Sequence, residues 1–371
     1  MSQKKPQATI KDVARRAGCS VAVVSTVVNG ARGNTAVGAD TRQRVLEAAQ
    51  ALNYRRHFAS RSLVHGRTGT LGLYIPPLPW AGPGFTYDDA ILRGVEAGCL
   101  ATGHDLLLIN LAGGRTPDAC LDKFAERRID GLLLVHVEAG SRWIRDLLAG
   151  GGPVIAVDYP LPEPRLHAVV FDNVAAGRLA VEHLYAMGHR RIGFMASCLQ
   201  PTNVDGALRL QGYLQAMSAH RLSVPLEWIF DRSKLGQALE RGDAVCQIEG
   251  RAAARYILSL ADRAPTAWIA YSDLVAASAL PVLQACGVRV PTQVSVMGVD
   301  DAEHARLSQP TLTTIRHPLE EMGRRAVELL VERIAEPPPV GRRAAAAHHE
   351  LFPPELIVRE STARPFAFAR E

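Results

Sequence analysis

A small helical head joined to a large α/β body is the fold class that this 371-residue chain predicts, and three features predict it. Positive charge gathers at one end. The same end carries short helical patterns punctuated by cap and stop residues. From Thr70 onward, apolar runs of strand length alternate with helical segments, the arrangement that gives parallel sheets covered by helices.

The charge is the first justification. Residues 1–66 hold 11 Lys and Arg against 3 Asp and Glu, a net +8, while the remaining residues hold 31 against 34, a net −3. A basic head on a mildly acidic body is the electrostatic footprint of a nucleic-acid-binding module joined to something else. Apolar content of 47% and charged content of 21% suit a folded globular chain. No apolar run is long enough to span a bilayer, so no membrane partner is expected. The start, MSQKKPQAT, has lysines but no apolar stretch behind them, so no secretory signal is expected. Cys19, Cys99, Cys120, Cys198, Cys246 and Cys286 lie far apart without a CxxC pair, which suits a reducing cytoplasm.

The head reads as three short helices. Thr9 caps the first, Ile10 to Ala17, with Asp12 favourable at its N-terminus and Val13, Ala14 and Ala17 on one face. Gly18 ends it in a tight turn. Ser20 caps the second, Val21 to Val28, whose apolar face includes Val24, Val27 and Val28, and Asn29-Gly30 stops it. The third, about Thr41 to Leu52, turns Val45, Leu46, Ala49 and Leu52 inward and Arg42 and Arg44 outward. Two short helices joined by a glycine-containing turn make a helix-turn-helix, whose second helix enters the DNA major groove.

ATIKDVARRAGCSVAVVSTVVNG, followed by TRQRVLEAAQALNY and ASRSL, resembles the N-terminal region of the lactose-repressor (LacI/GalR) family of bacterial regulators. The resemblance implies that Val21, Ala22 and Thr26 read base edges. Val21 and Ala22 can pack on thymine methyl groups but cannot hydrogen-bond a base. Thr26 stands where many relatives carry an arginine able to hold guanine through two bonds. Thr9, Ser20, Ser25, Asn29 and Thr41 are the expected phosphate contacts, which position without reading sequence. HFASRSLV, residues 57–64, matches the family's hinge helix, and Leu63 falls at the leucine that wedges into a central minor-groove step. Arg56 occupies a place where many relatives have proline. The segment is too short for a stable isolated helix, so DNA and dimer contact are expected to order it.

The body predicts strands at Leu71–Ile75, Asp105–Asn110, Gly131–Val137, Val154–Val157, Arg191–Ala196, Ala267–Tyr271 and Val294–Gly298. Helices are expected at Tyr87–Ala101, Pro117–Arg127, Asn173–Ala186, Ala207–His220, Gly250–Ala261 and Asp273–Cys286. VVFDNVAAGRLAVEHLYAMGHRRIGFMA, RLQGYLQAM, SVMGVDDAE, PTLTTIRHP and PELIVREST resemble the family's effector domain, which has the periplasmic-binding-protein-like fold of two lobes with parallel sheets. The implied domains are a helix-turn-helix at 1–56, a hinge at 57–67 and an effector-binding and dimerisation body at 68–371. Within the body, lobe 1 is expected at about 70–167 plus 302–332, and lobe 2 at about 168–298 plus 333–362.

Open α/β sheets bind ligands at the C-terminal ends of their strands. Asp158, Ser272 and Asp300 follow expected strands there, and Arg209 lies in a following helix; the resemblance implies effector contacts at these positions. Carboxylates and an arginine in one cleft suit a hydroxyl-rich effector such as a sugar or sugar derivative. Ser272 stands where relatives often have asparagine. The loop PPLPWAGPGFTYDD adds Trp80, Phe85 and Tyr87 as ring-stacking candidates, with Trp80 and Tyr87 assigned to the site. The stretch Leu226–Glu249 is longer than in common relatives. A nucleoside- or purine-type effector, or an activator of the same architecture, is the alternative.

An enzyme is not expected: Walker A, GxGxxG after a first strand, HExxH and GxSxG are all missing. No cofactor or metal is expected, and His348-His349 read as solvated residues in a Pro- and Ala-rich tail. The resemblance implies a cytoplasmic, nucleoid-associated homodimer that represses transcription from a near-palindromic operator of double-stranded DNA. Pro337-Pro338-Pro339 and the want of leucine heptads in Glu336–Glu371 predict no added tetramerising coil.

Overall fold

The computed structural model describes residues 8–29, 37–54, 66–76, 87–109, 119–136, 142–150, 152–158, 165–196, 204–231, 234, 245–336 and 347–365. The head folds as α1 (Ile10–Ala17), α2 (Val21–Asn29) and α3 (Ala39–Ala51). Thr9 and Asp12 form a capping box: the Asp12 N–H donates to Thr9 Oγ1 at 3.4 Å and the Thr9 N–H donates to Asp12 Oδ2 at 3.0 Å. Gly18 takes φ +63° and turns the chain into α2. Val13, Ala14, Ala17, Val24, Val27, Val28, Val45 and Ala48 make a separate small core. One inward residue is corrected. Leu46 is 45% exposed, because Val45 and Ala48 supply the buried stripe and Leu46 lies about a quarter-turn off it.

The body consists of two six-stranded sheets. The first has the order β2 (Asp105–Ile109), β1 (Thr70–Tyr74), β3 (Gly131–Val135), β4 (Val154–Val157), β5 (His167–Phe171), β11 (His349–Phe352). The second has the order β7 (Ile229–Phe230), β6 (Ile192–Met195), β8 (Ala267–Ala270), β9 (Ser295–Asp300), β10 (Thr313–Arg316), β12 (Glu355–Ile357). Pairing is parallel except between β10 and β12. Sequences such as GLLLV, VIAV and AWIA are continuously apolar because helices cover both sheet faces.

The helices are α4 (Tyr87–Thr102), α5 (Ala119–Ala125), α6 (Arg142–Ala149), α7 (Asn173–Ala186), α8 (Val204–Ala219), α9 (Val245–Ser259), α10 (Asp273–Ala285), α11 (Glu303–Leu307) and α12 (Leu319–Ala335). Three pairs pack tightly: α4 with α12, α7 with α8, and α9 with α10. Glycine permits the α7–α8 approach. A Cβ on Gly177 would fall 2.0 Å from the Arg209 carbonyl oxygen, and one on Gly212 would fall 2.0 Å from that of Val174. No helix among the described residues is long and apolar enough to cross a membrane.

The lobe limits differ from expectation. β5 runs to Phe171 within the first sheet, past the limit at 167. β10 pairs with β9 in the second sheet, although residues 302–332 were expected in lobe 1; only α12 from that stretch packs there. β11 pairs with β5, so residues 349–352 belong to the first sheet and not to lobe 2. Pro353-Pro354 then carry the chain across to β12. His348 and His349 are exposed, in line with their reading as solvated, but His349 also opens β11, and its Nε2 lies 3.1 Å from the Leu166 carbonyl oxygen.

Candidate functional site

The first residues of α2 are uncharged, and basic side chains are exposed elsewhere on the head. Val21 and Ala22 are exposed at the start of α2, and Val21 retains 41% of its surface. Thr26 is half-buried, and its hydroxyl donates to the Ala22 carbonyl at 3.0 Å. Ser20 Oγ accepts from the Val23 N–H at 3.3 Å, so it caps the helix as its position requires. Thr9 is held in the capping box, Ser25 is half-buried, Asn29 closes α2, and Thr41 Oγ1 accepts from Arg44 at 3.4 Å. Lys11, Arg15, Arg16, Arg42 and Arg44 are exposed on the same head. Arg56, Leu63, Trp80 and Phe85 lie outside the described residues, as do residues 235–244 of the long stretch.

Between the sheets, a polar network draws on both. Asp158 follows β4 with φ +53°, and Asp300 ends β9 with φ +126°. Side chains other than glycine rarely hold such angles, and backbone strain of this kind clusters at functional sites. Tyr87, at the start of α4, donates its hydroxyl to Asp158 Oδ2. Arg209, in α8, is buried, and its guanidinium donates to Asn173 Oδ1 at 2.7 Å, the Tyr271 carbonyl at 2.5 Å and Asp300 Oδ1 at 3.1 Å. Its remaining nitrogen lies 3.4 Å from His317 Nδ1. Four expected effector residues (Tyr87, Asp158, Arg209 and Asp300) therefore meet. Ser272 stands apart: its hydroxyl accepts from the Val275 N–H at 3.4 Å and caps α10.

His317 is the centre that sequence reasoning missed. It is fully buried, its ring stacks on Phe171 at 4.0 Å, and its Nε2 lies 3.5 Å from Asp158 Oδ2. Burial alone would push Asp158 up. The His317 charge, aided by hydrogen bonds and Arg209, overrides that and brings the carboxyl down to about 2. Burial likewise pulls His317 down, but Asp158 and then Asp300 hold it above the ordinary histidine value. Tyr87 has its ring 5.3 Å from His136 and 5.7 Å from His317, and burial followed by the Asp158 charge keeps its phenol well above the ordinary value. His136 Nε2 in turn lies 2.5 Å from Asp88 Oδ1.

Asn173 and Asp205 complete the set. Asn173 Nδ2 donates to Asp205 Oδ1 at 3.1 Å while its Oδ1 serves Arg209. The missed residues share one signal: Asn173, His136 and His317 closely follow strands, and Asp205 sits in the first turn of α8. β5 and β10 were not foreseen, so the residues after them were not either.

Neighbouring acids have other work. Asp273 is fully buried, accepts from Thr314 at 2.6 Å and from the Ala302 N–H at 2.9 Å, and burial together with Asp300 raises its carboxyl far above the usual range. It ties α10 to β10. Asp301 binds Arg316 at 3.0 Å and also Arg359, tying β10 to the C-terminal segment. Among the described residues, no group of His, Cys, Asp and Glu is arranged to hold a metal ion.

Residues 9–57 match the model described as "Bacterial regulatory proteins, lacI family", and residues 181–362 match "Periplasmic binding protein-like domain". The chain is 33% identical over 359 residues to the HTH-type transcriptional repressor PurR of Mannheimia succiniciproducens, covering 95% of this chain and 98% of the relative. It is also 33% identical over 362 residues to the protein of that name from Photobacterium profundum, covering 95% and 98%. Among solved structures, a complex of the transcriptional regulator CelR with cellobiose is 30% identical, with a TM-score of 0.64 and coverage of 95% of this chain and 99% of that one. The lac repressor dimer bound to operator and the anti-inducer ONPF shares the fold, with a TM-score of 0.77 at 24% identity and coverage of 97% and 100%.

Proposed function

The chain belongs to the lacI family of bacterial regulatory proteins and is a DNA-binding repressor with an effector domain, and from that premise we propose which residues carry each task. Residues 1–56 form the DNA-binding unit, residues 57–67 the hinge and residues 68–371 the effector body. A dimer sets two α2 helices into successive major grooves of a near-palindromic operator. Val21 and Ala22 meet thymine methyl groups, Thr26 makes one hydrogen bond, and Thr9, Ser20, Ser25, Asn29 and Thr41 position the head on phosphates. Leu63 wedges into the minor groove between the half-sites.

The effector site is the network of Tyr87, Asp158, Arg209 and Asp300, joined by Asn173 and His317. The observation that carries this reading is that the network joins both sheets and includes residues of two crossing segments. A ligand engaging it acts on the lobe angle directly and so shifts the population of hinge-ordered dimer. Paired carboxylates and a buried arginine suit a small hydroxyl-rich effector, a sugar or sugar derivative; a relative at 30% identity is solved with cellobiose. A purine- or nucleoside-type effector is the second reading, favoured by the ring of Tyr87 lying 5.3 Å from that of His136 and 5.7 Å from that of His317.

Thermal-shift screening of the whole protein against sugars, polyols and nucleosides tests the site. Ligand at a hundredfold its Kd stabilises by about 2.7 kcal/mol. A sugar hit that Arg209→Met and Asp300→Asn abolish supports the first reading. A hit only among nucleosides moves the assignment to the second, and a hit indifferent to both substitutions removes the site from this cleft. Operator gel shifts with and without the hit, across salt concentrations, read the sign of control.

A further inference from the structure

We infer that the ligand of the interlobe site carries a basic nitrogen, and that Asp205 is the side chain that receives it. This deepens, and rests on, the reading that the network holds the effector. Asp88, Asp158, Asp205 and Asp300 gather between the sheets, and all but one are already matched. His136 lies 2.5 Å from Asp88, His317 lies 3.5 Å from Asp158, and Arg209 lies 3.1 Å from Asp300. Asp205 receives only the neutral Asn173 amide at 3.1 Å, and among the described residues it pairs with no Lys, Arg or His.

The place of Asp205 is fixed by its helix. It sits in the first turn of α8, four residues before Arg209 and therefore on the same face. Asn173 at the start of α7 donates to it, Arg209 lies one turn on in its own helix, and the charges of Asp158, His317 and His136 reach it across the cleft. Burial and then the Asp158 charge push its carboxyl up to about 7, against the pull of Arg209, His317 and His136. Relative to the ordinary carboxyl at 3.8, that is a roughly thousandfold loss of acidity. A neutral polyol adds no positive charge to the partial pull of Arg209, His317 and His136 on this carboxylate. An ammonium group supplies one and offers hydrogen-bond donors to an oxygen that has only one partner. Arg209 and Asp300, already paired, remain to orient hydroxyls. The ligand class that meets these conditions is an amino sugar or amino polyol.

Titration calorimetry on the full-length protein tests this with matched probes: glucosamine, galactosamine and 1-amino-1-deoxysorbitol, each beside glucose, galactose and sorbitol. An amine is expected to bind at least tenfold tighter than its neutral parent. Asp205→Asn should remove that preference and Asp205→Glu should keep most of it, while circular dichroism and thermal melts verify that both variants fold. With 1-amino-1-deoxysorbitol, whose amine stays protonated, affinity should fall roughly tenfold from pH 8 to pH 6, and binding at pH 7 should release about half a proton. A parent that binds as tightly as its amine, or a preference that survives in Asp205→Asn, overturns the proposal. A neutral sugar that binds wild type and Asp205→Asn alike leaves the effector cleft standing and removes only the basic nitrogen. No binding by any probe counts against both.

Discussion

Arg209→Met is the sharpest structural perturbation of the interlobe network. Methionine fills much of the arginine stem's volume but has no donors. The change therefore isolates the guanidinium from the packing of the side chain. In the native protein that group satisfies Asn173 Oδ1, the Tyr271 carbonyl and Asp300 Oδ1 at 2.7, 2.5 and 3.1 Å. Removing it leaves those acceptors short of donors in a site where Arg209's side chain is 5% exposed and Asp300's is 18% exposed. Breaking one side of a buried ion pair costs about 3–5 kcal/mol. Asp300 reaches some water, which places the expected loss near the lower end, about 3 kcal/mol. At about 2–4 °C for each kcal/mol, the body's melting temperature should fall by roughly 6–12 °C. Asp300→Asn in the same background should recover part of this, with a coupling of about 1–3 kcal/mol between the two sites. Differential scanning calorimetry of the four proteins measures the cycle. A fall under about 2 °C, or strict additivity, would mean that the guanidinium does not hold the site together.

Three other predictions address separate parts. Asp158 is held down at about 2, so its contribution, on the order of 2 kcal/mol, is present above 3.8 and is lost as pH falls through 2. His317 is held above 6.5, so its contribution is present below 6.5 and is lost as pH rises through the raised value. Thermal melts across pH should show both limbs, with Asp158→Asn flattening the acid limb and His317→Gln the alkaline one; unchanged limbs would refute the pairing. Thr26→Arg should sharpen binding-site selection toward guanine at one base pair per half-site, by about 1–3 kcal/mol, and identical selected sites from both proteins would exclude Thr26 from base reading. Leu63→Ala should weaken operator binding by roughly tenfold or more while leaving effector affinity unchanged, and equal operator affinity would reject the wedge.

Different physics decided what could be read in the sequence. The head was legible almost residue by residue, because its signals are local: Thr9 with Asp12, Gly18 after Ala17, Ser20 before Val21. Leu46 escaped because α3 buries a stripe only two strong positions deep, Val45 and Ala48, so periodicity alone could not phase it. Most strands buried on both faces announced themselves as apolar runs, although β5 (HAVVF), equally apolar and buried, was missed. β10 (TTIR) and β11 (HELF) did not, since their polar residues are satisfied by partners far along the chain: Thr313 and Thr314 by Ser361, Thr362 and Asp273, and Glu350 by Arg325. Once those strands are missed, the lobe crossings move and His317 looks like an ordinary loop residue. Asp158, Arg209 and Asp300 were found from strand ends and resemblance, whereas their pairing depends on how the sheets face each other. No local pattern encodes that.

The crossings also bear on how the proposed site would act on the head. The chain passes between the sheets after β5, after β10 and between β11 and β12. Asn173 belongs to the first passage and His317 to the second, so two connections carry site residues themselves. Lobe rotation must change the dihedrals of those connections, and with them the distances from Arg209 to Asn173 and from His317 to Asp158. A ligand that prefers one set of distances therefore stabilises one lobe angle without a separate relay, because its differential affinity for the two sets is the coupling free energy. The first sheet begins at Thr70, a few residues after the proposed hinge, and Arg67 is anchored by donating to the Ile334 carbonyl of α12 at 2.7 Å. α12 starts two residues after His317. α12 thus links the proposed effector site to the start of the body, and it is seated tightly against α4, where a Cβ on Gly94 would fall 2.0 Å from the Glu320 carbonyl oxygen.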